Sequence, residues 1–110
     1  MTHIVDPNKA VDFIITKAGE FAKAKAQRVY LEEFRRSKRS LLMAQSDAPA
    51  ANAREQYAYA HPEYIELLVA LQAAVETEEE LRWQLIAAQA RVDIWRSQEA
   101  SNRAVDRSAR

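Results

Sequence analysis

The 110-residue chain contains no cysteine. That excludes disulfides, thiolate metal sites and cysteine nucleophiles, and it fits a cytosolic protein. There is one glycine, Gly19, and there are three prolines. No stretch alternates apolar and polar residues as a half-buried strand does. Net charge is also lacking, because 16 basic residues meet 16 acidic ones. No bulk electrostatic drive toward nucleic acid or anionic membrane follows from such a balance. No apolar run is long enough to span a membrane. The opening "MTHIVDPNKAV" has no charged region followed by an apolar stretch, so no secretion signal is expected.

Helix formers fill the space these absences leave. Ala, Glu, Gln, Arg and Leu dominate, and each sits comfortably in a helix. Apolar residues make up 48% of the chain, too many for a disordered protein. The length suits one domain. An all-α protein is expected.

The prolines mark helix starts, since proline is favoured in a first turn where its missing N–H has no partner to lose. Asp6 caps a helix opening at Pro7. Ser46 or Asp47 caps a second, with Pro49 just inside. Pro62 opens a third and disfavours helical geometry at His61. Glu63 and Glu66 then favour its positive end. The expected elements are a long helix over about 7–45, a short one over about 48–59 and a long one over about 62–106. The tail "SNRAVDRSAR" has little apolar content and is expected to fray. Helices joined by a short connector fold back on each other. The expected architecture is a long antiparallel helical hairpin, coiled-coil-like, with a short helix at the bend.

Stepping three and four residues from Tyr64 gives Leu67, Leu71, Ala74, Glu78, Leu81, Leu85, Ala88, Val92 and Trp95. This is a heptad seam with one polar break, Glu78. A second stripe, Trp83, Ile86, Ala87, Ala90 and Ile94, lies roughly opposite. A helix with two apolar faces needs two partners. An exposed patch of that kind marks an interface, so a homodimer forming a four-helix bundle is expected. The alternatives are that the hairpin wraps enough to cover both stripes, or that another protein covers the second. On the first helix, Ile15, Ala18, Gly19, Ala22, Ala26 and Val29 form a stripe of mostly small residues. Glycine inside a helix costs roughly 1 kcal/mol relative to alanine. Gly19 is therefore expected to serve a close contact, with Trp83 or Trp95 against this stripe.

Charge is segregated. Residues 1–45 carry 9 basic and 5 acidic side chains, residues 46–80 carry 1 and 8, and residues 81–110 carry 6 and 3. Arg28, Arg35, Arg36, Lys38 and Arg39 are the candidate nucleic-acid contacts, acting on phosphates in a salt-sensitive way. The competing reading is a solvated face with a Glu32–Arg36 pair, partly neutralised by Glu63, Glu66 and Glu76. No helix-turn-helix, zinc-finger or RNP motif accompanies the cluster.

In the run "ETEEE", Glu76, Glu79 and Glu80 lie on neighbouring turns. Di-iron bundles need Glu-x-x-His pairs from facing helices, and both histidines, His3 and His61, lie outside the long helices. A solvated face with a Glu78–Arg82 pair is expected, with no metal and no cofactor. No glycine-rich loop, GxSxG or HExxH is present. Ser37 and Ser40 sit among arginines without a histidine nearby. The one candidate catalytic cluster is His61 with Tyr57, Tyr59, Tyr64 and Glu63. Turn chemistry and aromatic packing explain it better, so no enzyme is expected.

The segments "YLEEFRRSK", "YAHPEY" and "LRWQLIAAQARVDIWR" resemble small helical proteins encoded by tailed bacteriophages. The likeness covers about residues 30–100. Genes of this kind sit among recombination and replication genes. The resemblance implies an accessory role in phage or host DNA metabolism, in the cytoplasm of the bacterial host, and it brings no catalytic residues. Inhibition of a host protein is the further alternative, using the same surfaces.

Overall fold

A computed structural model describes residues 6–109; the expectation made for His3 lies outside them. The protein is an all-α helical hairpin. Helix α1 spans Pro7–Gln45, α2 spans Ala51–Ala60 and α3 spans Pro62–Ala109. No strand occurs among the described residues.

The first proline acts as expected. Asp6 Oδ1 accepts from the backbone N–H groups of Asn8 at 3.0 Å and Lys9 at 3.3 Å, so orphan donors of the first turn are satisfied. Pro62 is the first residue of α3, and His61 before it is extended.

Pro49 departs from expectation. It stands two residues ahead of α2, and no side chain caps that helix at Ala50. Ser46 Oγ instead accepts from the N–H of Ala48 at 3.2 Å, a local turn that competes with helix initiation. Arg54 reaches back from α2 to the carbonyls of Ala48 at 3.0 Å and Pro49 at 2.8 Å. The connector is thus held by side chains rather than opening as helix.

The C-terminal segment also departs. It continues as helix to Ala109 with its side chains exposed from Ala100 onward. Neither Gly nor Pro interrupts it. The Ser108 hydroxyl and Arg107 Nε donate to the carbonyls of Ala104 and Arg103, one turn back.

The chain divides into two compact units, the division falling inside both long helices. One is Ala22–Glu79; the other joins the segment ending at Phe21 to the segment beginning at Glu80.

In the Ala22–Glu79 unit, α1 and α3 run antiparallel. Leu42 and Ala58 are fully buried and Tyr64 nearly so, with Met43 packed against them. All three helices contribute to this core at the bend. In the other unit, Ala10 and Ala88 are buried, and the Arg82 guanidinium lies 5.4 Å from the centroid of the Phe21 ring.

The α3 seam is realised. Tyr64, Leu67, Leu71, Ala74, Glu78, Leu81, Leu85, Ala88, Val92 and Trp95 are all buried or half-buried, and of the rest of α3 only Gln84 and Glu99 join them. The α1 face is a correction. Ile15, Ala18, Gly19, Ala22, Ala26 and Val29 are exposed rather than packed. Pro7, Phe13, Glu32, Arg39 and Met43 are half-buried at the edges of the inner face, and the covered positions along its centre are Ala10, Ile14, Lys17, Phe21, Ala24, Arg28, Leu31, Phe34, Lys38 and Leu42. They keep the three-four spacing of a seam. Three of them are long cations, whose aliphatic stems cover apolar surface while their charged ends find partners.

Gly19 serves no contact within the chain: a Cβ there would meet nothing within 4 Å. Its helical cost is therefore uncompensated in the isolated molecule. Gly19→Ala should stabilise the chain by about 0.5–1 kcal/mol, read from the urea midpoint of a monomeric sample. No gain would place a contact at Gly19 after all.

Candidate interaction surfaces

The polar break in the α3 seam has a partner on α1. Arg28 Nε donates to Glu78 Oε2 at 2.5 Å and Arg28 Nη2 to Oε1 at 3.0 Å, a two-pronged pair. Arg28 Nη1 also donates to Glu32 at 3.0 Å. Glu78 is 2% exposed. The Glu78 and Glu32 hydrogen bonds, in that order, hold the Arg28 guanidinium pKa above its ordinary value. Glu78 therefore specifies which residues of the two helices face each other, the role a buried polar seam position performs best.

The other candidate phosphate contacts divide into two groups. Lys38 pairs with Glu63 at 3.1 Å. Arg39 donates to the Tyr59 hydroxyl at 2.7 Å, which raises its pKa. Its guanidinium also sits 5.8 Å from the centroid of that ring. Arg35 and Arg36 are exposed. Glu32, expected to pair with Arg36, meets Arg28. Three of the five cations are thus engaged inside the Ala22–Glu79 unit. They do not form one open basic face.

The corner is a set of caps and ring contacts. The His61 N–H donates to the Ala58 carbonyl at 3.2 Å, which closes α2. Its carbonyl accepts from Tyr64 and Ile65, which opens α3. Its Nδ1 accepts from the Glu63 N–H at 3.1 Å. Nδ1 is thus engaged as a helix cap. Tyr57 meets the His61 ring edge-on at 5.6 Å, and Tyr59 meets Tyr64 likewise at 5.4 Å. The cluster ties α1, α2 and α3 together through Arg39, Tyr59 and Tyr64.

In the acidic run, Glu76, Glu79 and Glu80 are exposed. No group of three potential metal ligands comes together among the described residues. An open cleft between α1 and α3 is lined by Ala24, Gln27, Leu31, Ala70, Ala73, Ala74 and Thr77, none of them ionisable.

The second apolar stripe of α3 faces outward. Trp83 is 63% exposed, Ile86 47% and Ile94 48%, with Ala87 and Ala90 exposed between them. Side chains this large and apolar, one turn apart, form a surface that water covers poorly. On α1, Val11 and Ile15 are exposed as well. Sequence reasoning found the α3 stripe and misassigned the one on α1. The signal that would have separated the faces of α1 was Arg28, the cation that meets the polar break Glu78 across the antiparallel helices.

No helix among the described residues is long and apolar enough to cross a membrane. No protein family, curated protein or solved structure matches the chain.

Proposed function

We propose that this chain is a non-enzymatic adaptor that works by protein–protein contact and associates with itself through the outer face of α3. The observation that carries this reading is the exposed row of Trp83, Ile86 and Ile94. The best candidate for a catalytic base, His61, has its Nδ1 engaged in capping α3, which favours contact over chemistry. The likeness to tailed-phage proteins supplies the setting: an accessory factor in recombination or replication inside a bacterial host, with a homodimer as the smallest assembly. The exposed Arg35 and Arg36 leave a small basic surface beside this role.

Light scattering tests the reading. The wild-type chain at micromolar concentration should show a mass above the 12.6 kDa of one chain. Trp83→Glu should weaken association at least tenfold while leaving the helical circular dichroism unchanged, because Trp83 takes little part in the fold of the single chain. A wild-type monomer at all concentrations, or a Trp83→Glu protein that associates normally, would sink the proposal.

A further inference from the structure

We infer that the outer stripe of α3 in one chain packs against the outer face of α1 in a second copy, antiparallel and level with it. This rests on the self-association reading above and adds the partner face. Both faces belong to the unit that joins the α1 segment ending at Phe21 to the α3 segment beginning at Glu80.

That unit leaves two apolar faces uncovered, both turned away from the seam. On α3, Trp83 stands out and Ala87 and Ala90 are small. On α1, Ile15 is 69% exposed, and a Cβ on Gly19 would meet nothing within 4 Å. The sizes are complementary in both directions. With Trp83 set over Gly19, Ile15 falls against Ala87 and Ala90. Ala87 follows Trp83 by four residues and Ile15 precedes Gly19 by four, so only an antiparallel arrangement makes both contacts. Such knob-and-gap packing is what close helix contacts require.

Charge selects the same arrangement. With Trp83 over Gly19, Asp12 stands beside Arg91. By helical spacing, Asp12 flanks one side of the α1 face and Arg91 flanks one side of the α3 face. Antiparallel packing brings those two sides together. A parallel arrangement would instead carry Asp12 along α3 away from Arg91. Opposite charges at the rim fix orientation and register.

The register has a consequence for closure. Within one chain Arg82 lies over Phe21. Nine residues along each helix in opposite directions, that pairing also reaches Arg91 and Asp12. Neighbouring copies would therefore stand level, without an axial step. Because the two faces lie on opposite sides of the unit, each added copy presents the same pair of faces again. A head-to-tail contact of this kind does not stop at two: with the faces opposite and no axial step it extends as a level row, and it closes into a ring only where successive copies are also rotated. The dimer is then the first step of the series and not its end.

The absence of cysteine makes the test direct. Asp12→Cys and Arg91→Cys chains are mixed and treated with a short bismaleimide. A covalent pair should form in the mixture at several times the yield of either chain alone. The double variant should give a ladder of multiples. Self-crosslinking of Ala90→Cys without any mixed product would place α3 against α3; that overturns this inference and leaves self-association standing. No crosslinking in any sample, with a monomeric mass by light scattering, would remove both.

Discussion

Arg28→Met should lower the unfolding free energy by about 2–3 kcal/mol. The cost arises mainly at Glu78, whose side chain is 3% exposed and loses its two-pronged partner inside the seam. Removing one member of a fully buried pair costs about 3–5 kcal/mol. The lower figure applies here because the Arg28 side chain keeps 22% of its surface in contact with solvent, which screens the pair. The measurement is a urea titration, in which the midpoint falls while the slope is unchanged. The double variant Arg28→Met with Glu78→Leu should recover to within about 1 kcal/mol of wild type, since an apolar pair of similar volume replaces a desolvated ionic one. The pairing as described is wrong if the single substitution costs under about 0.5 kcal/mol, or if the double variant is no better than the single.

The second large effect lies at the bend. Leu42→Ala should cost about 3 kcal/mol. Leu42 is fully buried against Ala58 and Tyr64, and truncation removes its transfer energy and leaves a cavity. The helices around it are held by the Arg39–Tyr59 bond and the His61 caps, which resist collapse into that space. Leu42→Met keeps the volume and should cost less than about 1.5 kcal/mol. Equal losses for the two substitutions would show that the site is not packed as described. The same urea titration reads both.

Much of this fold was legible in the residues. Pro7 and Pro62 each stand at N1, because a missing N–H costs nothing there. The α3 seam was legible because its polar positions are few. Pro49 misled for a physical reason: proline suits a turn ahead of a helix as well as its first position, and the Ser46 hydroxyl decided for the turn. The inner face of α1 was hidden by chemistry that apolar counting cannot see. Lys17, Arg28 and Lys38 sit on it, so the apolar pattern selected the outer face with Ile15 and Gly19. Lys17 is itself held by Glu20 at 3.0 Å. The corner was placed correctly as a junction, yet its central device, the imidazole acting as an N-cap, has no sequence signature beyond a histidine before proline.

The contacts of the Ala22–Glu79 unit also form a graded series in chain separation. Arg39 meets Tyr59 across 20 residues, and Arg28 meets Glu78 across 50. Closing a flexible loop costs only about 0.6 kcal/mol more for each doubling of its length. Once the near contact is made, the far one closes only the short remainder of chain on each arm. Loop closure in this unit therefore costs least at the bend, and each contact made there lowers the cost of the next one along the arms.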